Sequence, residues 1–118
     1  MQSYELEAWL GDDHGLSDEQ ITELLDHADE IAERYPDPDD KPERDAALSA
    51  AYRILIGEHN VVEQLATERA AAKAAEACAL AGLRQLAIMQ ARAGESESGF
   101  ARRANVDRMA VRKWLDKR

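Results

Sequence analysis

The chain has 118 residues, 24 of them acidic and 15 basic, for a formal charge of -9, which is enough for one modest domain or two very small ones. Alanine fills 22 positions while Phe, Trp and Tyr together fill only 6, so the apolar content lies in small side chains and a thick aromatic core is excluded. Glycine and proline total 9, and no run alternates Val, Ile or Thr; the β-rich classes drop out and an all-α protein is expected.

The apolar stretches are only a few residues long, far below the ~20 needed to cross a bilayer. Residues 1–10 carry Glu5 and Glu7 and lack a basic start before an apolar run, unlike a secretory signal. A cytoplasmic location without membrane contact is expected. The single cysteine, Cys78, has no second cysteine for a disulfide or a CxxC pair; in its helical context it reads as a small apolar filler.

Ser3 is expected to cap a short helix through Leu10, and residues 11–15 (GDDHG) read as a turn. Leu16, Ser17, Gln20 and Ile21 then have the spacing of a capping box inside a hydrophobic staple. The helix they open places Ile21, Leu24, Leu25, Ala28, Ile31, Ala32 and Tyr35 on one face, and Glu23, Asp26, Asp29, Glu30 and Glu33 on the other. It stops at Pro36. Three prolines within residues 36–42 make a linker or tight corner. A third helix is expected from Pro42 or Glu43, since Pro is tolerated in a first turn; it buries Ala47, Leu48, Ala51, Tyr52, Leu55 and, at its end, Ile56. Tyr4, Trp9, Tyr35 and Tyr52 read as the anchors of this N-terminal core. Residues 57–60 end the third helix.

Residues 61–93 contain no proline and one glycine, which permits a single helix about 50 Å long at 1.5 Å per residue. Alanines at 70, 71, 72, 74, 75, 77, 79 and 81 raise helix propensity but give little area to bury. Such a surface suits close pairing of helices, within the chain or in a homodimer, with Gly82 allowing the closest approach. A break near Gly82 is the alternative.

The charge is unevenly spread. Residues 1–47 sum to -13, residues 48–93 to +1 and residues 94–118 to +3. A basic tail on an acidic protein points to nucleic-acid contact at the basic end; the bland alternative is two solvated faces.

Residues 94–118 read GESESGFARRANVDRMAVRKWLDKR. Two short helices with a sharp turn fit them: Ser96 and Asp107 have the oxygen an N-cap needs, and Asn105 falls where a left-handed residue is wanted. Phe100, Ala101, Ala104, Val106, Val111, Trp114 and Leu115 form the apolar set joining the helices. Ala101, Asn105, Val106, Val111 and Trp114 match, in type and spacing, the helix-turn-helix of bacterial DNA-binding proteins, of the kind found in repressors, resolvases and transposase-like regulators. The chain resembles that family over about a fifth of its length, with Asn105 standing where glycine is commonest. Leu83, Leu86, Ala87 and residues 89–93 supply a preceding helix, making residues 79–118 a tri-helical unit after an acidic helical region (1–60) and an Ala-rich connecting helix (61–78).

The resemblance implies that the second short helix enters the major groove of double-stranded DNA, with Asp107, Arg108, Met109, Arg112 and Lys113 facing the bases. The chemistry fits those residue types: Arg donates two bonds to guanine O6 and N7, Met touches a thymine methyl and Lys reaches phosphate. Arg102, Arg103, Lys117 and Arg118 are placed to anchor phosphates. From Gly99 onward the charge is +5.

Other constellations are weaker. Asp37, Asp39, Asp40 and Glu43 suggest a calcium loop, but Lys41 stands where an oxygen ligand is needed and no glycine follows. His14, His27 and His59 lie in no zinc spacing, and there is no phosphate loop or nucleophile elbow. No enzyme, metal or cofactor is expected. The expected function is sequence-specific DNA binding by a dimeric, nucleoid-associated transcription regulator. The rivals are a protein-interaction adaptor whose acidic head grips a basic partner, and an accessory DNA-binding factor of a mobile element. The Ala- and Arg-rich, Lys-poor composition of the chain (11 Arg, 4 Lys) and the look of its tail resemble small helix-turn-helix proteins of high-GC actinobacteria.

Overall fold

The computed structural model describes residues 1–116. Lys117 and Arg118, two of the expected phosphate anchors, lie outside them. Six α-helices and one 3-10 turn follow one another, with no strand among the described residues: the protein is all-α. The helices are α1 (Ser3–Leu10), α2 (Asp18–Arg34), α3 (Lys41–Leu55), α4 (Val61–Arg92), α5 (Glu97–Ala104) and α6 (Arg108–Trp114). No helix among the described residues is long and apolar enough to cross a membrane. The chain divides into two compact units, Met1–Leu65 and Ala66–Arg118.

In the first unit, α2 is the central element. Its start is set by the expected box: Ser17 Oγ accepts from the Gln20 amide at 3.2 Å, and Gln20 Oε1 accepts from the Ser17 amide at 2.9 Å, so two orphan donors of the first turn are satisfied. The same Gln20 side chain donates through Nε2 to the Leu55 carbonyl at 2.9 Å. One amide thereby closes the beginning of α2 and the end of α3. Leu24, Ala28 and Ile31, at four- and three-residue spacing along α2, are buried with Leu6 of α1 and Leu48 of α3. Leu6 and Leu24 are fully buried, each contributing about 1.5–3 kcal/mol by removal from water.

The corner after α2 is ordered by polar contacts. Arg44 Nη1 donates to the carbonyls of Tyr35 (2.8 Å) and Asp37 (2.7 Å), and Asp37 caps the 3-10 turn Pro38–Asp40 through the Asp39 amide. Pro42 sits in the first turn of α3, where its missing N–H costs nothing. Tyr52 Oη donates to the His14 carbonyl at 2.6 Å, fixing the turn between α1 and α2.

Some expectations are corrected here. Ser3 is the first helical residue; the cap position is Gln2, which makes no side-chain bond. Leu6 and Leu10, one turn apart, take the inward side of α1, leaving Tyr4 71% exposed and Trp9 exposed at the rim; only Tyr35 and Tyr52 pack on the core. Ile56 lies just past α3 as its C-cap and is exposed, because the helical stripe has already ended.

The second unit contains most of α4, which runs unbroken through Gly82. A Cβ at Gly82 would meet nothing within 4 Å. All positions from 62 to 82 are exposed, Cys78 among them, so the thiol is not a packed filler. Ala87, Phe100, Ala101 and Val111 form the buried core, ringed by Ala104, Val106, Trp114 and Leu115. Leu83 is half-buried, whereas Leu86 and Met89 are exposed. The inward line of α4 runs 83–87, four residues apart, and residues 86 and 89 fall outside it. Gly94, at φ +99°, turns the chain after α4 while the Glu95 amide donates back to the Gln90 carbonyl at 2.9 Å.

Candidate nucleic-acid interface

The short helices α5 and α6 are each defined by their caps. Ser96 Oγ accepts from the Gly99 amide at 3.0 Å, and Asp107 Oδ1 accepts from the Met109 amide at 3.0 Å. Between them Asn105 adopts φ 56°, ψ 46°, the left-handed conformation in which Asn substitutes best for glycine. The Val106 amide donates to the Ala101 carbonyl at 3.0 Å and the Asn105 amide to the Arg102 carbonyl at 3.3 Å, a Schellman closure that brings Val106 back onto the core.

Among the described residues, the expected contact residues fall as follows. Val111 is buried, so the opposite side of α6 belongs to Met109 and Lys113, four residues apart. Met109 is 57% exposed, and Lys113 is exposed. Asp107 is committed as the cap of α6. Arg108 and Arg112 converge on one carboxylate: Glu97 Oε2 lies 3.7 Å from Arg108 Nε and 3.2 Å from Arg112 Nη1. Glu97 is only 17% exposed, and Arg112 is partly buried beside it. On α5, Arg102 is exposed, while Arg103 makes a two-pronged contact with Glu95 at 2.6 and 3.0 Å and lies 5.8 Å over the Phe100 ring. The hydrogen bond Arg103 donates to Glu95, then the charge of that carboxylate, raises the Arg103 pKa above its ordinary value. An arginine is protonated across the working pH range in any case; the consequence of the pair is local charge cancellation.

The two acidic partners were not singled out in the sequence. Counting charge from Gly99 leaves out Glu95 and Glu97, and these are the residues that reach back to the basic helix. Their separations, 8 residues for Glu95–Arg103 and 15 for Glu97–Arg112, exceed the helical i, i+4 reach that a sequence displays. The available signal was the position of both acids beside the first turn of α5, where carboxylates are favoured by the helix dipole.

The chain matches no family model, no curated protein and no solved structure. Its site therefore rests on its own geometry. The face of α6 presents one apolar thioether and one ammonium group, flanked by guanidinium groups already held in place by carboxylates. Such a face can meet an anionic, partly apolar surface through Met109 and Lys113, while the guanidinium groups must exchange their carboxylates for the incoming anion. Among the described residues no group of three or more His, Cys, Asp or Glu is arranged to hold a metal ion.

Proposed function

We propose that the protein binds double-stranded DNA sequence-specifically through α6 and acts as a transcription regulator, nucleoid-associated and dimeric. The observation that carries this reading is the α5–Asn105–α6 arrangement: two capped helices, a left-handed turn residue, and Met109 and Lys113 standing opposite buried Val111. In this reading Met109 and Lys113 meet the groove first. Arg108 and Arg112 follow as DNA displaces Glu97 from them, and Arg102 and Arg103 lie toward phosphates. Asp107 acts through its cap and orients the first turn of the reading helix. Dimerisation is proposed through residues 62–82 of α4, whose exposure on all sides is unusual for a helix, since helices gain most of their stability by packing an apolar face.

Fluorescence anisotropy of duplex DNA with the full chain, across a salt series, tests the proposal. Affinity should fall linearly on a log–log salt plot, by about 0.9 in slope for each phosphate neutralised. Replacing Lys113 and Arg112 by Ala should weaken binding, and light scattering should give twice the chain mass. No duplex binding at low salt would discard the reading in favour of a protein-interaction adaptor.

A further inference from the structure

The first unit carries a surface that DNA binding does not use. Along the seam between α2 and α3 runs an open groove of about 320 Å³ whose floor is formed by Ile31, Ala47, Ala51, Ile54 and Leu55. Ile54 is 54% exposed, and the two alanines are half-buried. On the α2 side the rim holds Glu23 and Glu30, with His27 between them, 3.7 Å from Glu23 and 3.4 Å from Glu30. Arg34 closes one end. The core under this floor is complete without any occupant, because Leu24, Ala28 and Leu48 are already buried against Leu6 of α1.

We infer that this groove is a docking site for a cationic amphipathic helix of another protein. Three features define the occupant. Glu23 and Arg34 lie eleven positions apart on α2, about 16 Å, so the groove takes roughly three turns of helix. The floor consists of aliphatic side chains between two helices, with no exposed strand edge, which suits apolar anchors at i, i+3/i+4 and i+7. Glu23 and Glu30 lie seven residues, about two turns, apart on one rim; they match cations at the same spacing along one flank of the incoming helix. Charge supports the same partner at long range. The unit carries 18 acids against 4 bases over residues 1–65, a field that speeds encounter with a cation and repels an acidic helix. The single cation at the groove's end, Arg34, sets the direction: the C-terminal end of the helix, with its negative dipole, lies toward it.

The probe is a fluorescein-labelled 14-residue peptide of Leu and Lys with Leu at helical three- and four-residue spacing, titrated into the full-length protein. Its isomer with the leucines scrambled is the control. Saturable binding is expected, about tenfold tighter for the amphipathic peptide than for the scrambled one. Ile54→Ser should lower affinity about tenfold, as should Glu23→Gln with Glu30→Gln, the second effect shrinking at high salt. Ile54 is exposed, so its variant should melt with the wild type; Ala51→Gln, which fills the floor, gives an independent reading of the same groove. Equal binding of both peptides, or indifference to Ile54→Ser and Ala51→Gln, would reduce the effect to bulk charge attraction and overturn the proposal. A loss of self-association on Ile54→Ser without peptide would assign the groove to a second copy, which also overturns it. None of these outcomes depends on whether the chain binds DNA.

Discussion

Glu97 Oε2 lies 3.2 Å from Nη1 of Arg112 and 3.7 Å from Nε of Arg108, so one carboxylate of α5 restrains two of the side chains proposed to read DNA. A phosphate or base edge must compete with it for those guanidiniums. Glu97→Gln should therefore tighten duplex binding about threefold or more, corresponding to a pair worth roughly 0.7 kcal/mol, and steepen the salt dependence. In an Arg112→Ala background the gain should shrink. Anisotropy on the four proteins of that cycle measures the coupling; an unchanged gain in the double variant would show that Arg112 is not the residue released.

Asn105 occupies the left-handed region. Asn105→Ala should cost about 1 kcal/mol, the penalty of placing a Cβ without a compensating polar group there, whereas Asn105→Gly should be neutral or slightly stabilising. Urea unfolding followed by circular dichroism distinguishes the two. Equal losses in both variants would mean that the Asn side chain, and not its backbone conformation, matters.

Gln20 joins two helix ends through one side chain. Ser17→Ala removes one cap bond and should cost about 1 kcal/mol. Gln20→Ala removes the reciprocal bond and the tie to the Leu55 carbonyl, and should cost about 1–2 kcal/mol. Thermal melts of both variants check the order; a smaller loss for Gln20→Ala would show that water replaces it without penalty.

Gly82 lies inside α4 with open space where a Cβ would stand. Gly82→Ala should stabilise the helix by up to about 1 kcal/mol. A fall in stability that depends on protein concentration would instead put Gly82 in a close contact between two copies.

Local signals carried most of the fold. The Ser17–Gln20 box, the stripe Leu24–Ala28–Ile31 and the caps at Ser96 and Asp107 each lie within four residues of their partners, and a sequence displays such spacing directly. Cys78 is exposed and not the packed filler its helical context suggests, because helical periodicity says which residues share a face and not whether anything covers it. Tyr4 and Trp9 failed for a related reason: an eight-residue helix has room for one inward line, and Leu6 and Leu10 take it. For the proposed interface, the positions on α6 followed from the turn pattern, while the Glu97 and Glu95 pairings depend on tertiary approach across 8 to 15 residues. The α2–α3 groove was invisible for the same reason, since its floor joins residues 31 and 54 from different helices.

The bare stretch of α4 has a consequence for how order is distributed along the chain. Between positions 62 and 82 no side chain is buried, so amides in the middle of that stretch are shielded by helical hydrogen bonds alone. They will exchange with deuterated water through brief local openings, whereas amides of α2 around Leu24 and of α6 around Val111 exchange only when a core comes apart. Helicity in this segment therefore tracks temperature gradually, as an isolated peptide's does, until some surface packs against it.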